Sequence, residues 1–326
     1  MVQACENVFV RKERENSVEI IANTTEFQLN RDTAVAIGKF DGIHIGHQKL
    51  LGEVRKRKEE GLATCVFTFD PPPHMLFGPK DRKVLSTREE QRVVFEKLGV
   101  DILIEFPLNW ETAGIEPEVF ARKILATQMR VKYLAAGTDL SFGARGAGNA
   151  ALLQKLAPEL GFEVETIEKV YLRGEEVSST WLRSCVERGE MEVAEELLGT
   201  SYMVSGKVVG GKQLGRKLGF PTINVIPEED KLLPPCGVYF SEVVVDGGRY
   251  AAISNVGYKP TVTEEKKLGV ETFLYGFERM IYGENVEVYL KHFHRNEQRF
   301  SGVEALRKQL EADISIGEKF HNLRDE

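Results

Sequence analysis

The chain of 326 residues lacks several features that mark secreted, membrane-spanning or metal-scaffold proteins. No apolar run approaches the roughly 20 residues that a membrane-spanning helix needs, and the first residues lack the basic and apolar regions of a signal peptide. Because the cysteines lie far apart and form no CxxC pair, their spacing favours free thiols over a disulfide framework or structural zinc. The four cysteines are Cys5, Cys65, Cys185 and Cys236. We therefore expect a cytoplasmic protein that does not enter a membrane.

Acidic residues outnumber basic ones in this chain. Lysine and arginine total 43 against 50 aspartates and glutamates, which gives a formal net charge of −7. A broad nucleic-acid-binding surface would need clustered positive charge, so this balance argues against a nucleic-acid partner. We expect small-molecule substrates bound at local sites, and a monomer or weak homo-oligomer.

The pattern of apolar residues changes near residue 200. From residue 33 onward, short apolar runs alternate with helical patterns, which is typical of a doubly wound parallel sheet. After residue 200, short β-rich segments dominate, and the turn residues Asp246 and Gly247 predict a hairpin. A final helix is predicted from Ser301, with Glu304 completing a capping box. The sequence thus predicts an α/β domain over 1–200 and a small antiparallel β-barrel with a C-terminal helix over 201–326.

The segment from Gly38 to His47 joins the first predicted buried strand to its helix. Parallel sheets place ligands at the carboxyl ends of their strands, and a helix N-terminus suits phosphate. His44 and His47 are three residues apart, so both can face one phosphate, and Gly46 permits close approach of the backbone. The segment therefore predicts a site for the α-phosphate of ATP. A helix cap without ligand contact, or a metal site, is the alternative.

The segment 206–224 is rich in glycine and cations, which suits a loop around phosphates. Thr222 and Asn224 alternate along an extended stretch, so their side chains point the same way. Oxygen ligands of this kind suit Mg²⁺ held together with ATP phosphates. Taken alone, without a resemblance to any family, the loop is interpreted first as a solvated glycine-rich hairpin, with phosphate binding as the alternative.

The first segment resembles the HxGH signature of the nucleotidylyltransferase superfamily, and in its fuller form the adenylyltransferase half of the bacterial bifunctional riboflavin kinase/FAD synthetases. Residues 137–143 are similar to that family's G-x-D-F-R-F-G stretch, with Leu140 and Ser141 replacing Phe and Arg. Residues 177–183 are similar to its S-S-T-x-I-R segment, and Pro72 stands where the family often has histidine. The resemblance implies a Rossmann-like domain that transfers adenylate from ATP to FMN. It assigns catalysis to His44 and His47, and substrate binding to Gly38, Phe40, Asp41, Gly42, Gly46, Asp139, Phe142, Gly143, Ser178, Ser179, Thr180 and Arg183.

The second half is similar to the riboflavin kinase motif G-x-x-x-G-R-x-L-G-F-P-T-A-N. A later segment, 271–277, looks like the family's E-T-H-L-L-D-F, with Phe273 and Gly276 replacing His and Asp. The resemblance implies phosphorylation of riboflavin by ATP, with Glu271 as the catalytic base and Mg²⁺ on Thr222 and Asn224. It places ATP against Gly210, Gly215, Arg216, Gly219 and Pro221.

Three other functions compete with this interpretation. Another HxGH transferase, acting on a pantetheine or choline phosphate, would have no reason to carry the second half. A non-catalytic flavin-binding protein would not need the base Glu271. Loss of one of the two activities is the third alternative, and the substitutions in the first half keep it open.

Overall fold

The short apolar runs of the first half form strands of one seven-stranded sheet in the computed structural model, which describes residues 9–11, 18–79, 82–211, 215, 218–260 and 266–323. The strands lie in the order β1-β2-β5-β4-β3-β6-β7, and all neighbours from β2 to β7 are parallel, while β1 is antiparallel to β2. Their bounds are β1 Phe9–Arg11, β2 Glu19–Ala22, β3 Thr33–Ile37, β4 Ala63–Asp70, β5 Ile102–Pro107, β6 Val131–Gly137 and β7 Glu163–Ile167. The doubly wound α/β prediction is confirmed.

The interior strand β3 is buried along its whole length, and its side chains divide between two hydrophobic clusters. Val35 and Ile37 belong to one cluster, and Ala34 and Ala36 to the other, as the two-residue period of a strand requires. The helices of the first half are α1 Ile45–Lys56, α2 Pro73–Phe77, α3 Arg88–Lys97, α4 Pro117–Val119, which continues as a π-helix over Phe120–Gln128, and α5 Ala150–Leu160. The strand order reverses between β3 and β6, and α1 leaves the sheet at that switch point.

The second half forms a closed barrel in the order β10-β11-β14-β13-β12-β15. Neighbouring strands along this order are antiparallel. Asp246 and Gly247 have φ of 49° and 76° between β12 and β13, so the hairpin prediction is confirmed. The strands are β10 Tyr202–Val209, β11 Thr222–Val225, β12 Gly237–Val245, β13 Gly248–Pro260, β14 Lys266–Leu274 and β15 Asn285–Asn296, with a short hairpin β8 Tyr171–Leu172 and β9 Glu175–Glu176 before the barrel.

The C-terminal helix, α8, spans Val303–Phe320 and begins two residues after Ser301. Gly302 is the cap residue, and it has no side chain to accept a hydrogen bond. The predicted capping box of Ser301 and Glu304 is therefore wrong, although Glu304 lies in the first turn, where a carboxylate suits the helix dipole.

The chain forms two compact units whose sequence boundaries differ from a single cut at residue 200. The first unit comprises residues up to 82 and 91–178, and the second comprises 83–90 and 179–326. The second unit includes two helices before the barrel, α6 Ser179–Arg188 and α7 Met191–Leu198, separated at Gly189 with φ 74°.

Residues 83–90 pack inside the second unit through a buried ion pair. Lys231 Nζ donates to Glu90 Oε2 at 2.5 Å and to the carbonyls of Leu85 and Met203, and both charged side chains are 1% exposed. Glu90 also accepts the backbone N–H groups of Thr87 and Ser205. Because a buried charge is costly without partners, this segment is required for the stability of the second unit.

Within the described part of the chain, no helix is both long and apolar enough to cross a membrane.

Candidate active sites

The two histidines of the first unit stack on each other at the start of α1. Their ring centroids are 3.8 Å apart with an interplanar angle of 14°. His44 is the N-cap residue, and its Nδ1 accepts the backbone N–H of His47 at 3.3 Å. His47 Nδ1 lies 3.3 Å from the carbonyl of Gly42, to which it must donate. A Cβ at Gly46 would lie 3.1 Å from the His44 ring, so a larger residue there would require the ring to shift.

These contacts fix the protonation of both rings. Burial lowers the pKa of His44 to about 4, against smaller opposing contributions from a backbone hydrogen bond and the charge of Asp139. Burial, followed by the neighbouring His44, holds the pKa of His47 well below its usual range. Both imidazoles are therefore neutral near pH 7. His44 then carries its proton on Nε2, which can donate to a ligand, while His47 Nε2 is an acceptor until it is protonated.

The other predicted residues of this segment support the turn. Phe40 is completely buried, and its ring packs against His47 and Phe95, so only its backbone is left to contact a ligand. Asp41 is 7% exposed, and Gly42 has φ 67°. A Cβ at Gly38 would lie only 3.1 Å from the ring of Phe40, so a larger residue there would disturb that packing.

The loop after β6 contains three more of the predicted residues. Asp139 is exposed, and its Oδ2 lies 3.5 Å from Lys169 Nζ. Phe142 is buried in the core, while Gly143 has φ 68° and leaves 2.9 Å between its Cβ position and Pro117. Phe142 and Gly143 also line a cleft of about 950 Å³.

Aromatic side chains dominate that cleft, and sequence reasoning found only one of them as a site residue. Phe77 and Trp110 are 57% and 74% exposed and pack edge to face with their centroids 5.5 Å apart. Because the aromatics come from separate strands, helices and loops, no local motif marks them. The aromatic lining consists of Phe69, Phe77, Phe106, Trp110, Phe120 and Phe142, and the charged residues that line the cleft are Lys39, Glu116 and Arg145.

The serine-rich segment spans the boundary between the units. Ser178 is the last residue of the first unit, and Ser179 begins α6 in the second. Thr180 is exposed and Arg183 is half-buried, both on the first turns of α6.

The barrel brings together the three residues to which the sequence assigns kinase chemistry. Thr222 Oγ1 donates to Glu271 Oε1 at 2.8 Å, and Asn224 is paired with Glu271 across strands β11 and β14. Thr222, Asn224 and Pro221 line a pocket of about 310 Å³, closed on another side by residues 277–282. The donors are a hydroxyl, an amide and a carboxylate, a set suited to a hard cation together with phosphate oxygens.

Three of the glycines near this pocket, Gly211, Gly215 and Gly219, lie where a side chain would clash or where the backbone has a positive φ. A Cβ at Gly211 would lie 2.4 Å from Asn224 Nδ2, and one at Gly215 would lie 2.5 Å from the carbonyl of Phe220. Gly219 has φ 91°, whereas Gly210 faces open space. Arg216, the remaining predicted residue, lies outside the described residues.

Two family models match the chain, one for each half. The FAD synthetase model matches residues 26–181, and the riboflavin kinase model matches residues 198–321. The bifunctional riboflavin kinase/FMN adenylyltransferase of Listeria monocytogenes is 35% identical over 89% of this chain and 93% of its own length. This chain belongs to the bifunctional riboflavin kinase/FMN adenylyltransferase family.

Other members of the family agree over similar lengths. The proteins of the same name from Escherichia coli and Bacillus subtilis are 34% and 33% identical, over 89% and 90% of this chain and 93% and 94% of their own. A crystal structure from Streptococcus pneumoniae, described as a macrolide-efflux protein, superposes with a TM-score of 0.79 at 28% identity and covers 92% of this chain and 98% of that one. Family membership confirms the resemblance and excludes the pantetheine and choline phosphate transferases as alternatives.

Proposed function

We propose that this chain phosphorylates riboflavin to FMN with ATP and then transfers adenylate from a second ATP to FMN, giving FAD and pyrophosphate. One observation carries the proposal. The same chain holds Glu271 hydrogen-bonded to Thr222 on the barrel and a stacked pair of neutral histidines at the switch point of the parallel sheet. Each arrangement suits one of the two phosphate transfers, and the relatives from Listeria and Escherichia coli are bifunctional proteins matched over nearly their whole length.

In the kinase reaction Glu271 acts as the general base. It takes the proton of the terminal ribityl hydroxyl as that oxygen bonds to the γ-phosphorus of ATP, while the bond to the bridging oxygen breaks and ADP leaves. The hydrogen bond from Thr222 orients the carboxylate for this transfer. Thr222 and Asn224 would hold Mg²⁺, which supplies positive charge next to the phosphates. Gly210, Gly215, Gly219 and Pro221 contact the nucleotide.

In the adenylyl transfer a phosphate oxygen of FMN attacks the α-phosphorus of ATP, and pyrophosphate leaves. His44 Nε2–H and the N-terminus of α1 donate to the negative charge that develops there. A bound anion raises the pKa of a nearby histidine, so His47 Nε2 takes up a proton from solvent and becomes a second donor. The aromatic cleft holds the flavin ring by stacking. Asp139 and Ser178 contact the remainder of ATP.

We also propose that the protein works in the cytoplasm as a monomer or weak homo-oligomer. Cys65 and Cys185 are free and buried, which fits a reducing compartment. Burial raises the pKa of both thiols, so neither is reactive.

The function is tested with the purified protein, ATP and Mg²⁺, following flavins by chromatography. Riboflavin should give FMN first and FAD later, and supplied FMN should give FAD directly. Accumulation of FMN without FAD would show that only the kinase is active, and conversion of neither flavin would refute the whole proposal. Omission of Mg²⁺ should stop FMN formation.

We propose further that the two activities divide between the halves, near residue 200 as the sequence predicts. The test compares residues 179–326 with the same fragment preceded by residues 83–90 on a short linker. The fused fragment should turn riboflavin into FMN and make no FAD. The fragment without 83–90 should be less stable by about 3–5 kcal/mol, because Lys231 then lacks Glu90.

Thermal unfolding measures this difference in stability. Fragment 201–326, which also lacks α6 and α7, should be less stable than either of the other two fragments. Formation of FAD by the fused fragment would contradict the division. So would a folded fused fragment that leaves riboflavin unchanged.

A further inference from the structure

Two cations of the aromatic cleft have no acidic partner among the described residues. Lys39 and Arg145 both line the cleft, both are exposed, and neither forms an ion pair in the described part of the chain. Glu116 is the one carboxylate among the described residues that line the cleft, so the lining has a net charge of +1 from two cations and one anion. Lys39 also lies in the segment that joins β3 to His44 and His47, and it therefore links the cleft to the adenylyl-transfer site.

Arg145 is held in a backbone conformation that glycine adopts more easily. It has φ 55° and ψ 19°, between Gly143 and Gly146 with φ of 68° and 66°. Residues that carry a side chain rarely adopt this left-handed region, and they persist there where the surroundings impose the conformation.

The surroundings of Arg145 do impose it. Phe142 and Gly148 exchange backbone hydrogen bonds of 3.1 and 2.9 Å across the base of the loop. Ala144 N–H donates to the carbonyl of Ile115 at 2.7 Å. Ser141 Oγ donates to the carbonyl of Gly146 at 3.1 Å. These hydrogen bonds hold the loop in one conformation, which places the guanidinium of Arg145 at the cleft.

FMN differs from riboflavin only by its phosphate, and the flavin ring needs no cation. An unpaired guanidinium and an unpaired ammonium are suited to a phosphate dianion, the former through two parallel hydrogen bonds. We propose that Lys39 and Arg145 bind the phosphate of FMN, making the adenylyl-transfer site selective for FMN over unphosphorylated flavin. This inference rests on the proposed function. Its consequence is that riboflavin, the first substrate, does not occupy the second site.

The test uses the full chain with Lys39→Met and Arg145→Asn, each assayed for FAD formation from FMN. Asparagine tolerates the left-handed conformation, so Arg145→Asn removes the charge without disturbing the loop. The matched control is Arg130→Asn, because Arg130 also has a positive φ, 51°, but precedes β6 and pairs with Asp32 in an exposed ion pair. Lumiflavin, which has the ring without the ribityl phosphate and cannot be phosphorylated, is added as a competitive inhibitor.

Each cleft variant should raise the KM for FMN by about tenfold or more, the effect of losing a charge-assisted hydrogen bond. The KM for ATP, the inhibition constant of lumiflavin and the rate of riboflavin phosphorylation should remain as in the wild type and in Arg130→Asn. Arg145→Lys should restore part of the lost affinity for FMN.

Parallel increases in the FMN and lumiflavin constants would overturn the inference, since the residues would then shape the cleft and not recognise phosphate. An unchanged KM for FMN in both variants would overturn it as well. If the wild-type protein makes no FAD at all, the proposed function itself fails.

Discussion

Replacing Glu271 with glutamine is expected to lower FMN formation by roughly 10²–10⁴-fold, the contribution of a general base. Glutamine keeps the size of the side chain and an oxygen that can accept the hydrogen bond from Thr222, now 2.8 Å long. It cannot accept the proton of the ribityl hydroxyl. The loss should therefore appear in kcat for riboflavin, measured by chromatography of the flavins at saturating ATP. FAD formation from supplied FMN should be unchanged.

Glu287→Gln is the matched control, because it makes the same change on strand β15, at a carboxylate that accepts a hydrogen bond from the Tyr289 hydroxyl at 2.6 Å, as Glu271 does from Thr222. It should phosphorylate riboflavin at the wild-type rate. If Glu271→Gln does so too, Glu271 has only a structural role in holding Thr222, and another group must take the proton.

Replacing His47 with alanine is expected to lower FAD formation from FMN about a hundredfold or more, the effect of losing one donor to the transition state. The backbone N–H of residue 47 still donates to His44 Nδ1 in this variant, so the helix cap survives. What disappears is the ring that stacks on His44 and packs against Phe40. The measurement is the rate of pyrophosphate release with FMN and ATP.

Riboflavin phosphorylation by the same preparation serves as the internal control for folding of the second unit. A cooperative thermal transition close to that of the wild type shows that the first unit is also intact. Unchanged FAD synthesis in such a folded variant would contradict the role given to His47.

The parts of the fold that the sequence predicts well are those set by local chemistry. The four residues after Thr33, up to Ile37, are all apolar, and an uninterrupted apolar run of this length predicts a strand that is buried on both faces. Asp246 and Gly247 can adopt the positive φ of a tight hairpin, and they do. The HxGH segment places His44 and His47 one turn apart wherever the helix begins, so their proximity needs no knowledge of the tertiary structure.

The parts that it predicts poorly depend on partners distant in sequence. Lys231 and Glu90 are 141 residues apart, and no sequence pattern around either residue predicts their ion pair. Phe77 and Trp110 resemble ordinary apolar residues in the sequence, and only the folded structure shows that they pack against each other in one cleft. Phe40 belongs to a recognised motif, yet only the packed structure shows that its ring supports His47 from within the core.

The position of residues 83–90 has a consequence for the order in which this protein can mature on the ribosome. Glu90 is synthesised 141 residues before its partner Lys231. Residues 83–90 therefore leave the ribosome before the rest of the second unit, and their ion pair cannot form until Lys231 has been synthesised. Domains generally fold from the N-terminus as they emerge, so the parallel sheet can form before residues 83–90 have found their partners. The barrel cannot complete its fold until translation is nearly finished. In a nascent chain stalled after residue 200, the Glu90 carboxylate would thus still be exposed to water, because Lys231 is not yet present. A chain truncated there would keep residues 83–90, which belong to the second unit, without the rest of that unit.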